Sequence, residues 1–594
     1  MDAMRTSVPG TKHKYSLILF TFLNLIVLVR VYWAGEIPSC SLGRLLSLQD
    51  SETSKAEGDI DLQLQKPKAS GTAAPTLPPE YSTLTEGQQK CDLFFTTSYL
   101  EHIATHQQPY CDAQSPSAFQ CFTAPRLVVP PTASWGQTDP LCIAQGVSFE
   151  PAQAGEAQDS QARKFDSEIQ CDLGLANEQQ SEEFNIQCKL RDIAGERASS
   201  AEAAKDLEGF RDHPTDWGSY WGDIGVGASL NTWRFSDDRN ITGCTKENSN
   251  NEWIMLIRRD STNTQNLWHK LMEILQARHS FDALRISINP ATGTPWLSKE
   301  DAANVQLVFD DDREELLESL WEIVTGKKPI RKSSLRTTCF GNVILPLPGC
   351  GSPFWSSMLD TGHQEQCQSQ TLLTTFANRV LEFYGIARRP VTEIHAHPRI
   401  TIIQRKNNRK FMFLDRLIPI LEERYPHSPI HVVDFADMSI EQQLQLVQIT
   451  DILIGHHGAA LTHIMFMSHE STVVEILPRY FDQHGFRATA ALRGVQYIAG
   501  RAMYEEEYEN VVHGKPLPQD WPPPPPQGVN YLLEKEWIYL KDEDFLGLVD
   551  AAVRSQLNRL GTGDVQAIHH DMPGDIYSRQ SRTGRIQERV YKRF

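Results

Sequence analysis

Two rhythms of apolar residues alternate through the second half of the chain. Trp253-Ile254-Met255-Leu256-Ile257 is a continuous apolar run of strand length. Leu267, Leu271, Ile274 and Leu275 then share one helical face and predict a helix over 267–277. Alternation predicts strands over 284–288 and 305–309. Leu316, Leu317, Leu320 and Ile323 predict a helix over 313–324, followed by a strand over 342–347 and a helix over 372–384.

From Ile400 the two periods interleave regularly. Strands are predicted over 400–403, 430–435, 452–454 and 473–477. Helices are predicted between them. One covers 413–424 with Leu414, Leu417, Ile418 and Leu421 inward. The next covers 438–448 with Ser439 as cap and Leu444 and Val447 inward, and the last covers 458–467. Strand and helix in strict alternation predict a parallel sheet covered on both faces. Two such units in tandem predict an α/β protein of two Rossmann-like lobes, 251–390 and 391–555, with ligands at the carboxyl ends of the strands.

The first half reads differently. Residues 91–250 hold seven cysteines and no clear period, and predict an irregular, Cys-rich region. Trp217, Trp221 and Trp233 there fit a core better than an exposed platform. Residues 35–90, rich in Ser, Thr, Pro, Gly and Gln, predict a flexible stem. Residues 15–34 are predominantly apolar, and a helix of about 20 residues crosses a bilayer. Arg5, Lys12 and Lys14 precede that run, which predicts a cytosolic tail over 1–14 and a lumenal bulk. The expectation is a single-pass type II membrane protein of the endoplasmic reticulum or Golgi. Near the other end, Pro522 to Pro526 predict a polyproline II spacer, and 556–594 a disordered basic tail.

Charge and cysteines narrow the classes. The net charge of −18 argues against bulk nucleic-acid binding. Of the 11 cysteines, ten lie between Cys91 and Cys367, with no C-x2-C spacing. That pattern fits disulfides in an oxidising compartment better than zinc. The sequon at Asn240, a candidate glycosylation site, is compatible with a lumenal location.

The densest chemistry is Asp451-Ile-Leu-Ile-Gly-His-His-Gly-Ala-Ala-Leu-Thr-His463, followed by Val473-Val474-Glu475-Ile476. A buried strand runs into small residues and a helix start, so free N–H groups and a positive dipole end can meet a diphosphate. Gly458 and Ala459 allow close approach. His457, Thr462 and His463 add donors, and Glu475 could accept from two ribose hydroxyls. The same segment could instead be a tight junction with core histidines. Upstream, Arg405 and Arg409 follow the strand over 400–403 and could pair with a leaving pyrophosphate. Asp310-Asp311-Asp312, after the strand over 305–309, raises a rival reading, a divalent-metal site. A helix start immediately after it would stabilise the same acids.

These motifs together resemble glycosyltransferase family 61. The resemblance is firm from about Arg399 to Ile498 and weaker back to Asn251, where Asn266-Leu-Trp-His269 resembles the family's Asn-x-x-His helix. The chain departs from the family pattern at Ala460, where Gly is usual, and at His456. The resemblance implies a GT-B-like fold of two facing Rossmann-like domains. It also implies inverting, metal-independent transfer of a sugar from a nucleotide donor such as UDP-GlcNAc to Ser/Thr hydroxyls of secretory proteins. His269 is then the candidate base, with Asn266 orienting it or binding the acceptor. Transfer of a xylose or another sugar to a glycan, or an inert lumenal nucleotide-sugar-binding protein, remain alternatives.

Overall fold

The computed structural model describes residues 77–81, 95–125, 140–151, 183–218, 223–237, 244–261, 265–336, 338–356, 370–390, 395–469, 471–478, 481, 484–503, 505–516, 537–558 and 577–578. The anchor over 15–34, the stem, Asn240, Trp221, the proline run and the basic residues from Arg579 lie outside them, as do Cys40, Cys91, Cys171 and Cys367. Among the described residues no helix is long and apolar enough to cross a membrane. All of them belong to one compact unit, Ala74–Ala152 with Ser181–Phe594.

The protein is mixed α/β, built on two large sheets. The second follows the expected alternation closely. Its strands, in chain order Ile400–Ile403, Ile430–Val433, Ile452–His456, Thr472–Leu477 and Gln496–Arg501, are all parallel and lie in the spatial order 2-1-3-4-5. Tyr577–Ser578 adds an antiparallel edge strand, within the stretch expected to be disordered. Helices Leu414–Arg424 and Asp542–Asn558 cover one face through Leu417, Leu421, Phe545 and Val549. Helices Ile440–Gln448 and Gly485–Arg493 cover the other through Leu444, Val447, Ala490 and Leu492. Ser439 caps its helix in a full capping box with Gln442.

The first sheet is mixed, with nine strands. Trp253–Ile257, Gln306–Phe309, Ile330–Arg331 and Thr338–Leu345 form a parallel half in the order 4-1-2-3. Leu141–Glu150 pairs antiparallel with Thr338–Leu345 and leads into four further strands, Gln107–Pro109, Ala118–Phe122, Glu183–Gln187 and Trp233–Ser236. The segment expected to be irregular therefore supplies more than half of this sheet, and a boundary at residue 250 would cut through it. Its apolar alternation is interrupted by long connections, which hid the strands. Three disulfides brace it: Cys111–Cys188, Cys121–Cys142 and Cys244–Cys339. Trp217 and Trp233 are buried in its core, as expected.

Three predicted elements differ. The strand over 284–288 is the last turns of one long helix, Leu267–Ile286. Nearly every residue of that helix is buried, so its alternation carries no face information. The helix over 313–324 is a turn, a 3-10 helix Glu318–Trp321 and the short helix Glu322–Thr325, which leaves Leu316 exposed. The helix over 458–467 is an eight-residue 3-10 helix, Ala459–Phe466. Helix Leu267–Ile286 and helix Thr371–Phe383 share one core with Ala459–Phe466 and Gly485–Arg493, so the two sheets meet through apolar packing.

Candidate active site

In a parallel sheet of order 2-1-3-4-5 the chain leaves strands 1 and 3 in opposite directions, which opens a crevice at their carboxyl ends. Strand 1 is Ile400–Ile403 and strand 3 is Ile452–His456. The residues that follow them, 404–410 and 457–460, are the ones singled out from the sequence.

Gln404 closes the first loop. Its amide donates to Phe411 O at 3.1 Å and its carbonyl accepts from Phe411 N at 2.9 Å. Arg409 adopts a left-handed backbone, φ 57°, uncommon for a non-glycine residue. This turns its guanidinium back, and Nη1 donates to His457 O at 2.9 Å. A Cβ on Gly458 would lie 2.7 Å from Arg409 Nη1 and 3.6 Å from Arg405 Nη1, so glycine there makes room for both cations. Neither arginine has a carboxylate in ion-pair range among the described residues, and Arg409 Nε is buried without a partner. Burial, then the charge of Arg405, pulls Arg409 down to about 10. Burial also lowers Arg405, opposed by Asp434. Next to these cations, the Ala459–Phe466 helix begins, and its first N–H groups have no partners within the helix. Two unmatched guanidiniums and a helix start form a site for a strongly anionic group.

His457 and Glu475 are brought together, with a different division of labour. His457 Nδ1–H donates to Glu475 Oε1 at 2.6 Å, and Tyr497 Oη–H donates to Glu475 Oε2 at 2.6 Å. Glu475 is wholly buried, with one oxygen engaged by His457 and the other by Tyr497, so its observed role is internal rather than the expected acceptance from ribose hydroxyls. It fixes His457, whose ring is flanked by Phe481 and Phe486 at 4.4 and 5.2 Å. His463 and Thr462 also leave the expected donor set, because a 3-10 helix turns both inward. His463 packs on Phe435, and burial lowers it to about 4. Thr462 is fully buried. His456 is buried too, and burial with the Arg409 charge keeps it neutral.

On the side of the first sheet, Asn266 caps helix Leu267–Ile286 by accepting from Trp268 N at 3.0 Å, a local role rather than contact with His269. His269, in the first turn, is held by a residue the sequence did not single out: its Nδ1–H donates to Asp260 Oδ2 at 2.6 Å. Asp260 follows the buried strand Trp253–Ile257 by three residues. Its place at a strand's carboxyl end was the available signal. Glu273, one turn after His269, accepts from Asp260 N at 2.7 Å and pairs with Lys270 at 3.0 Å. Beside Glu273 opens a small crevice lined by Leu256, Arg258, Leu345 and Gly349, at the switch point between strands 1 and 4 of the first sheet. His269 stacks edge-on to Trp355 at 4.4 Å, and Trp268 meets Phe486 at 5.5 Å. Phe486 thus touches both His457 and the neighbour of His269, which joins the two halves of the site.

The acidic run Asp310–Asp312 is taken up by side-chain contacts. Lys332 reaches Asp310 at 2.6 Å, Arg259 and Arg313 hold Asp311, and Ser333 donates to Asp312 at 2.5 Å.

The family profile "Glycosyltransferase 61" matches residues 266–474, a span that holds His269, Arg405, Arg409 and His457. Among curated proteins, the EGF domain-specific O-linked N-acetylglucosamine transferase of Xenopus laevis is 35% identical over 135 residues, 22% of this chain and 25% of that protein. Its Bos taurus counterpart is 28% identical over 235 residues, 38% of this chain and 42% of that protein. An alpha-1,3-arabinosyltransferase of Oryza sativa subsp. japonica is 32% identical over 124 residues, 19% of this chain and 21% of that protein. In each case the match spans less than half of the relative's length. The matched span includes the crevice between strands 1 and 3 and the helix that carries His269, so over that span the chain is similar to glycosyltransferase family 61.

Proposed function

We propose that the protein transfers a sugar from a nucleotide diphosphate donor to a hydroxyl group, with inversion at the anomeric carbon. The carrying observation is the pair of guanidiniums at Arg405 and Arg409, unmatched by any described carboxylate, over Gly458 at the start of a helix. The donor diphosphate occupies this site in our reading, between the cations and the N–H groups of Ala459 and Ala460. The two sheets act as facing lobes of a GT-B arrangement, with the acceptor on the His269 side.

Asp260 holds Nδ1–H of His269, which makes Nε2 the basic nitrogen. The acceptor oxygen attacks the anomeric carbon as its proton passes to Nε2. The bond from that carbon to the diphosphate oxygen breaks, and its electron pair stays on the phosphate. Arg405 and Arg409 meet the charge that grows there, so they bind the transition state more tightly than the ground state. This scheme assigns the diphosphate charge to arginines rather than to a metal. Transfer should therefore survive excess EDTA. Loss restored by manganese would refute that assignment.

The donor and acceptor favoured here are UDP-GlcNAc and Ser/Thr hydroxyls of secreted or lumenal proteins, following the named relatives. The three disulfides support an oxidising compartment, and the apolar N-terminal run supports anchorage there as a type II protein. The arabinosyltransferase relative supports a second reading, pentose transfer to a glycan. A screen of UDP-GlcNAc, UDP-xylose and UDP-arabinose for hydrolysis or binding decides between them. No response to any nucleotide sugar would leave an inert fold.

A further inference from the structure

Helix Gly485–Arg493 ends where helix Thr371–Phe383 begins. Gln370 N donates to Leu492 O at 2.8 Å, and Arg493 Nη1 donates to Thr374 Oγ1 at 3.1 Å. Gln370, Thr371, Thr374 and Arg493 therefore converge on one place. Gln370 is fully buried, and Thr371 and Arg493 are 3% and 9% exposed. The carbonyl of Gln370 caps the helix by accepting from Leu373 N, so its amide points elsewhere. That amide, Thr371 Oγ1 and Arg493 Nε are all buried without a hydrogen-bond partner.

The electrostatics are one-sided. No described carboxylate lies in ion-pair range of Arg493. After burial, the charge that acts on it is another cation, Arg388. The 13-residue helix adds its positive end and the N–H groups of its first turn. A buried guanidinium, a second cation, a helix start and three idle polar atoms leave a full positive charge uncompensated, a costly arrangement unless a negative group completes it.

We propose that this junction is a binding site for an oxyanion, a phosphate or a carboxylate, held by Arg493, Gln370, Thr371 and the first turn of helix Thr371–Phe383. It is separate from the donor crevice. Helix Gly485–Arg493 returns from the carboxyl end of Thr472–Leu477 to the amino end of Gln496–Arg501, so Arg493 lies at the opposite edge of the sheet from Arg405. The bound anion ties helix Thr371–Phe383, which belongs to the core shared by both sheets, to the nucleotide-side lobe.

The test is thermal melting of the full chain against inorganic phosphate, at constant ionic strength held with chloride. It is run in an Arg405→Ala/Arg409→Ala background, so the donor cations cannot answer and a failed donor reading does not confuse the result. The expected result is a saturable rise of a few degrees that Arg493→Met abolishes. Acetate in place of phosphate distinguishes a carboxylate occupant from a tetrahedral one. Gln370→Glu places a carboxylate in the site. It should raise the melting temperature without phosphate and remove the response, and it decides the matter even if Arg493→Met does not fold. No response to either anion, an equal response in Arg493→Met, or a lower melting temperature in Gln370→Glu each overturns the proposal.

Discussion

Two arginine clusters follow strand Trp253–Ile257 of the first sheet and strand Ile400–Ile403 of the second, and they are electrostatic opposites. After Trp253–Ile257, Arg258 pairs with Asp223 and Asp310, and Arg259 with Asp311, Glu315 and Glu318. Arg259 is fully buried and also lies 4.0 Å over the ring of Phe309. After Ile400–Ile403, Arg405 and Arg409 have no carboxylate partner among the described residues, and one guanidinium hydrogen of Arg409 rests on a backbone carbonyl. Both segments read as an apolar strand followed by cations. One cluster is saturated and builds the lobe, while the other is left positive. Arginine after a strand is thus no sign of a binding site until its carboxylates are counted.

The comparison breaks most directly at Arg259. Arg259→Met removes one cation from among three carboxylates, one of which, Glu315, also pairs with the buried Lys270. Breaking a buried pair costs about 3–5 kcal/mol. We expect a large drop in melting temperature and little soluble protein. A normally folded variant would show that the network holds nothing together.

Arg405→Ala should do the reverse, with normal melting and reduced turnover. Loss of one preorganised donor at a growing charge costs about 3–4 kcal/mol, or roughly 10²–10³ in rate. We predict turnover down at least roughly tenfold, a conservative bound on that range. Arg405→Lys should restore only part, since an ammonium cannot make the paired planar contact. Full activity in Arg405→Ala would make this cation a surface charge.

A base placed on the facing lobe sharpens the contrast further. His269→Ala should lower kcat by about 10²-fold, the lower end for a positioned general base. Asp260→Asn should cost less and should fall on kcat rather than KM, because the ring that takes the proton is then held less firmly. An unchanged kcat in Asp260→Asn would leave Asp260 with a packing role only.

The smallest effect concerns histidines that the fold withdraws from chemistry. Burial lowers His463 to about 4 in the folded state, against about 6.5 when unfolded. The unfolded chain therefore takes up the proton first as pH falls. His463 burial costs nothing above about pH 6.5, and stability is lost from there toward pH 4. At pH 5.5 the loss is about 1 kcal/mol. His463→Leu should flatten that part of the stability–pH curve, as read by denaturant midpoints between pH 7.5 and 5.5. An equally steep curve would place the acid sensitivity elsewhere.

The sheet around Ile400–Leu477 was legible because each strand is short, continuous and followed by a helix, one of them with a full capping box, so period and punctuation agree. The strands between Gln107 and Ser236 were not. They pair across long separations, as Val147 does with Phe340, and no local period reports such a partner. The long helix hid its final turns for a related reason: with every side buried, 3.6-residue amphipathicity disappears.

At the site, residue type and spacing brought Arg405, Arg409, His457 and Gly458 into view, and the family resemblance added His269. Small residues after a buried strand and cations after its neighbour are local features. Which of these groups are already paired within the fold is visible only in their three-dimensional neighbours. Glu475 reads as a ligand contact until Tyr497 and His457 are found on its two oxygens. Asp260 reads as a loop acid until His269 is found 2.6 Å away. Asp310 to Asp312 carry a rival reading as metal ligands in the sequence, and only the fold shows Lys332, Arg259, Arg313 and Ser333 around them. The physical reason is common to all three. A charged group's role depends on whether its charge is already matched, and all but one of the matching partners, Arg313, lie 9 to 52 residues away along the chain.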